Sequence, residues 1–152
     1  MKFFAKNRRA LHDYIILDQL ETGIVLSGAE AKSVRAGTVN LSAAYALIID
    51  GKLQLVNAHI SQYSNAYKRL PQQEDRNRIL LVHKRELNRL LGEVSKKGIT
   101  LIPLGLYAQE GGYIKVKLAL CKHKKSYVRK EEIRERDIAR ETRRELRGKF
   151  TY

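Results

Sequence analysis

One cysteine in 152 residues, Cys121, leaves no partner for an internal disulfide, so the chain is expected to work in a reducing compartment. No apolar run is long enough to cross a bilayer. The longest, Ile99 to Tyr107, is interrupted by Pro103 and Gly105 and falls well short of the roughly 20 residues a spanning helix needs. The opening Met1-Lys2-Phe3-Phe4-Ala5-Lys6 carries charge but no apolar stretch of signal-peptide length. A soluble cytoplasmic chain with no membrane partner is expected. The groups that catalysis needs are missing too. There is no Gly-rich phosphate loop, and Cys121-Lys122-His123 is a lone C-x-H without a second ligand pair. His12, Asp13, Glu30, His59 and His83 show no spacing that would gather them as acid, base or metal ligands. No cofactor, metal or enzymatic activity is expected. Acid is scarce as well: 16 Asp and Glu face 30 Lys and Arg, which leaves a net charge of +14 and an isoelectric point near 10.0.

What is present follows from that imbalance. Hydrophobic residues make up 43% of the chain, enough for a modest core in one domain with an appendage. A charge of this size repels itself unless an anion is near, and nucleic acid is the commonest such partner, because neutralised phosphates release counterions. A general ribosomal or nucleoid protein would share this property, as would a membrane-surface protein; a nuclease is the enzymatic rival. The charge is unevenly spread. Lys122 to Lys149 holds 12 basic and 6 acidic residues, while its large apolar residues thin to Tyr127, Val128, Ile133, Ile138 and Leu146. Nearly all core formers lie earlier, so a folded body over residues 1–121 and a basic tail over 122–152 are expected.

The body reads as strands interrupted by helices. Tyr14 to Leu17 and Gly23 to Leu26 are β-branched runs flanking a short polar link. Ala43 to Ile49 and Lys52 to Ala58 flank Asp50-Gly51, a dipeptide that accepts the positive φ angles of a type I′ hairpin turn. Ile99 to Tyr107 and Tyr113 to Leu120 flank Gln109-Glu110-Gly111-Gly112, a second hairpin; Ile114, Val116 and Leu118 there alternate with Lys115 and Lys117. Ser27-Gly28-Ala29-Glu30 is a capping-box sequence for a short helix ending at Gly37. Leu87, Leu90, Leu91 and Val94 give the apolar stripe of a longer one closed by Gly98, with Lys84, Arg85, Arg89, Lys96 and Lys97 on its other face. Ser61 to Arg78, with Pro71, reads as an exposed polar loop. The fold class expected is mainly β with two or three helices, an antiparallel OB-like barrel. In the tail, Glu132–Arg136, Asp137–Arg140 and Glu141–Arg144 favour helix by a few tenths of a kcal/mol each. With no apolar stripe to dock it, that helix is expected to be disordered until a partner orders it.

Four clusters carry the candidate function: Asn7-Arg8-Arg9-Ala10-Leu11-His12-Asp13-Tyr14; Gly28 to Gly37 with Asn40 and Leu41 beyond; His83-Lys84-Arg85-Glu86-Leu87; and Lys122 to Lys130 followed by Glu131 to Asp137. In these clusters, and most specifically in Gly23-Ile24-Val25-Leu26-Ser27-Gly28-Ala29-Glu30-Ala31-Lys32-Ser33-Val34-Arg35-Ala36-Gly37, the chain resembles the SsrA-binding protein (small protein B) family. The resemblance implies a barrel that grips the elbow of the tRNA-like domain of transfer-messenger RNA. It also implies a tail that becomes helical in the empty mRNA channel of a stalled ribosome, near the decoding centre, with elongation factor Tu helping delivery. RNA contact then falls to Asn7, Arg8, Arg9, His12, Glu30, Lys32, Ser33, Arg35, Asn40, Lys84 and Arg85. Ribosome contact falls to Lys124, Lys125, Tyr127, Arg129, Lys130, Arg134 and Arg136. Alternatives stay open at several positions. Glu30 either accepts hydrogen bonds from bases or only completes the cap with Ser27. Lys32 and Arg35 either bridge phosphates or form a solvated face. His12 and Asp13 could be a local polar pair on a strand. Tyr127 stands where the family has a histidine or aromatic suited to stacking, while Val128 replaces the family's acidic residue.

Overall fold

A computed structural model describes residues 2–62 and 74–149 of the chain, excluding the side chains of residues 126–128, 148 and 149. Strand β1 (Lys2–Lys6) leads into helix α1 (Arg8–Asp13), strand β2 (Tyr14–Ile24) and helix α2 (Gly28–Arg35). The short β3 (Val39–Asn40) precedes β4 (Tyr45–Ile49), β5 (Lys52–Val56) and the short β6 (His59–Ile60). Then come β7 (Arg78–Leu81), α3 (Lys84–Val94), β8 (Ile99–Ala108), β9 (Ile114–His123) and the long α4 (Ser126–Lys149). All pairings are antiparallel: β8–β4, β4–β5, β5–β7, β7–β2, β2–β9 and β9–β8 return to their starting strand in a closed cycle. β1 adds to the edge of β8 that faces away from β9, and β3 pairs with β6 apart from the cycle. The interior is aliphatic, built from Val34, Leu41, Leu53, Leu55, Leu80, Leu90, Leu101, Leu106, Val116 and Leu118.

The tight β4–β5 turn is where the sequence signalled it. Ile49 pairs with Lys52, and Asp50 and Gly51 both take positive φ, 52° and 73°, the mirror-image turn that matches strand twist. Gly105 answers a different need. A Cβ there would lie 2.8 Å from the Ala5 carbonyl oxygen, so only glycine lets β1 seat against β8, beside the irregularity between Pro103 and Gly105. Cys121 is buried with Ala10 and Ile102; burial pushes its thiol up to about 11, so it packs as a small apolar side chain.

Three expectations need correction. Tyr14–Ile24 is one strand, because the polar residues from Asp18 to Thr22 alternate in burial along it and are held by β9 across a bulge between Ile16 and Asp18. β1 and α1 were not expected, and α1 puts His12 and Asp13 on a helix instead of a strand. The division placed after residue 121 falls inside β9, since Lys122 and His123 still pair with Ile15 and Tyr14. Much of the expected loop from Ser61 to Arg78, residues 63–73, lies outside the described residues.

Candidate nucleic-acid interface

The interface is organised from inside by a carboxylate. Ser27 caps α2, its hydroxyl accepting from the Glu30 amide at 3.2 Å, and Glu30 returns the bond by accepting from the Ser27 amide at 3.0 Å. The same carboxylate takes hydrogen bonds from Arg76 and Arg78. Arg78 is fully buried and also donates to the carbonyls of Ala58 at 2.7 Å, Glu74 at 3.0 Å and Arg76 at 3.2 Å. Burial would raise the Glu30 carboxyl, but the bonds from Arg76, the Ser27 amide and Arg78 outweigh it and hold its pKa below the usual range. Burial likewise draws the Arg78 guanidinium down, with Glu30 opposing. Glu30 thus ties α2 to β7 across 48 residues of sequence. Neither arginine stood out in the sequence, because a single cation at the head of an apolar strand carries no local sign of its partner.

Two more expected contact residues prove internal. Asn7 is buried; its amide donates to the carbonyls of Leu41 at 3.1 Å and Pro103 at 3.0 Å, and its oxygen caps α1 at Ala10. Ser33 is buried on the core side of α2, its hydroxyl without a partner among the described residues. All three of Asn7, Glu30 and Ser33, expected among the RNA contacts, are buried, and the polar groups of Asn7 and Glu30 are bonded to neighbouring elements.

The helices α1, α2 and α3 carry exposed cations. Arg8, Arg9, Lys32, Arg35, Lys84 and Arg85 are exposed. Arg9 pairs with Asp13 at 3.1 Å, and Arg35 donates to the Gly112 carbonyl at 2.9 Å, joining α2 to the β8–β9 turn. Asn40 accepts from the amide and hydroxyl of Ser42 at 2.9 and 2.7 Å. Between β2, β7 and β9 a cavity of about 430 Å³ is lined by Glu21, Gly23, Leu81, His83, Glu86 and Lys115. His59 sits against Asp75 at 2.9 Å and Glu74 at 3.6 Å, away from His12 and His83. Among the described residues no three His, Cys, Asp or Glu side chains gather where a metal ion could be held.

Among the described residues the tail helix meets the body through its first half. Lys124 donates to the Leu11 carbonyl at 3.3 Å and pairs with Glu132 at 2.6 Å. Arg129 reaches Asp13 at 3.5 Å, and Arg136 meets His12 at 3.4 Å. Burial would raise the Asp13 carboxyl, but Arg9, Arg129 and His12 together lower it. Lys125, Lys130, Arg134 and Arg136 are exposed, as are residues 137–147. The Tyr127 and Val128 side chains lie outside the described residues. Asp13 was passed over as a docking residue because its partner Arg129 is 116 positions distant.

A closed antiparallel sheet with short helices bearing exposed cations and a long cationic helix rooted beside α1 defines a small class of basic β proteins. Residues 4–148 match the family described as SmpB protein. The SsrA-binding protein of Coprothermobacter proteolyticus is 46% identical over 152 residues, all of both chains. Those of Symbiobacterium thermophilum and Carboxydothermus hydrogenoformans are 49% and 48% identical, covering 96% and 98% of this chain and 92% and 99% of theirs. A chain in a solved structure described as "tmRNA-SmpB: a journey to the center of the bacterial ribosome" is similar with a TM-score of 0.67 and 48% identity, over 80% of this chain and 85% of that one. The chain belongs to the SmpB protein family.

Proposed function

We propose that the chain is a non-enzymatic cytoplasmic adaptor that binds the tRNA-like domain of transfer-messenger RNA and brings it to stalled ribosomes for rescue and tagging of the incomplete peptide. The observation that carries this reading is family membership over residues 4–148, together with a charge distribution that suits two RNA partners. The closed cycle of strands is read as an OB-like barrel, a scaffold that presents loops and one sheet face to nucleic acid. On it, Arg8, Arg9, His12, Lys32, Arg35, Asn40, Lys84 and Arg85 contact the folded RNA, while Asn7 and Glu30 hold the elements that carry them and Ser33 lies buried on the core side of α2. Phosphate contacts fix orientation, and shape selects a tRNA-like elbow over plain duplex.

Helix α4 is the second module. Its cations outnumber its carboxylates, and residues 137–147 are exposed, so ribosomal RNA supplies their partners in the mRNA channel. Lys125, Tyr127, Lys130, Arg134 and Arg136 belong to that contact; Lys124 and Arg129 set the helix's direction from α1. Elongation factor Tu takes part only through the RNA. The test is competition: labelled tRNA-like domain against bulk tRNA and duplex DNA at fixed salt. Strong preference for the tRNA-like domain is expected. Equal displacement by all three would instead mark a general ribosomal or nucleoid protein, and cleavage of the RNA on long incubation would mark a nuclease.

A further inference from the structure

Tyr113 stands at the turn between β8 and β9, 73% exposed, the most open large hydrophobic residue among those described. Several other rings already have partners. Tyr14 meets His123 edge-on at 5.0 Å, Tyr107 is buried against Phe3 at 5.4 Å, and Lys6 and Lys2 lie over Phe3 and Phe4. The turn that carries Tyr113 is braced. The Gln109 amide donates to the Tyr113 carbonyl at 2.9 Å, and the Gly112 amide donates to the Gln109 carbonyl at 3.0 Å. Gly111 and Gly112 hold φ of 93° and 85°. A Cβ on Gly111 would come within 3.6 Å of the Tyr113 ring, so the ring rests against a bare stretch of backbone. The Arg35 guanidinium, bonded to the Gly112 carbonyl, fixes this turn beside α2 and its exposed Lys32.

We propose that Tyr113 is a stacking platform for one unpaired base in a loop of the folded RNA, with Lys32 and Arg35 alongside to meet the flanking phosphates. The inference rests on the RNA-binding reading above and adds a base-contacting residue to it. An aromatic ring next to cations is how proteins engage splayed loop bases, since every base has a π-face. A protein partner fits less well, because one ring among charged side chains lacks the apolar area that docking requires. Tyr113 bears no fold, so its variants keep the body intact.

The test measures affinity for the tRNA-like domain at fixed salt with the full chain and with Tyr113→Ala, Tyr113→Phe and Tyr113→Trp, alongside thermal melting of each. 2-Aminopurine is substituted singly into the unpaired loop positions as a direct probe of stacking. Tyr113→Ala should weaken binding by about five- to a hundredfold, the range that alanine produces at stacked bases. Phe and Trp should bind within threefold of the parent, and one 2-aminopurine position should be quenched by the parent and not by Tyr113→Ala. Unchanged affinity in Tyr113→Ala, or a Phe variant as weak as Ala, overturns the stacking role while leaving the RNA-binding reading in place. A parent chain that prefers duplex DNA to the tRNA-like domain overturns both.

Discussion

Replacing Glu30 by alanine should unsettle the fold before it touches any ligand. The substitution leaves Arg78 fully buried with the carboxylate bonded to its guanidinium gone. Removing one member of a buried ion pair typically costs about 3–5 kcal/mol. Arg78 keeps three carbonyl acceptors, those of Ala58, Glu74 and Arg76, and this places the expected loss near the lower end, about 3 kcal/mol. A chain of this size loses about 2–4 °C of melting temperature per kcal/mol, so far-UV circular dichroism should record a drop of roughly 6–12 °C at pH 7. Adding Arg78→Met should restore part of it, because the orphaned charge is removed and an apolar side chain fills its place. The pH dependence has a definite sign. The folded carboxyl lies below its ordinary value of 4.5, so its contribution is complete above that value and is lost as pH falls through the lower folded one. The gap between parent and Glu30→Gln should therefore narrow as pH falls below 4.5. A Glu30→Ala chain that melts within about 2 °C of the parent yet loses RNA affinity would refute this reasoning and place the carboxylate on the RNA.

Asp13→Ala should loosen the root of α4 by removing the Arg129 contact, with Lys124 and Arg136 still holding it; hydrogen exchange should rise over residues 126–136 while the strands stay protected. Gly105→Val puts a side chain where 2.8 Å separates the Cβ site from the Ala5 carbonyl, and about 1–3 kcal/mol of stability and the protection of β1 should be lost in denaturant titration and exchange. Lys84→Ala with Arg85→Ala should weaken RNA binding evenly across sequences and flatten its salt dependence by about one to two in slope; an unchanged slope would remove both from the interface.

The features legible in sequence are those whose cause is local. Asp50-Gly51 declares its turn because two adjacent residues supply both positive φ angles, and Ser27 with Glu30 declares a helix start because both halves of the cap sit three apart. The alternation from Ile114 to Leu118 likewise marked one buried and one wetter face. What stayed hidden depends on distant partners. Asp18 to Thr22 look like a link until β9 lies alongside. The short β1 is stabilised by β8 a hundred residues later. Arg78 looks like an ordinary basic residue until Glu30 is folded against it, and Asn7 looks like a surface polar group until two carbonyls from elsewhere close over it. The basic clusters were visible as charge, but which members face outward is decided by the core.

The proposed function needs a separation of labour between the strands and α4, and one affinity measures it. A chain ending at Lys125, which keeps β9 whole through His123, is titrated with labelled tRNA-like domain beside the full chain at the same salt. Dissociation constants within about threefold of each other are predicted. A hundredfold loss in the shortened chain would mean that α4 itself helps to hold the tRNA-like domain and that labour is not divided.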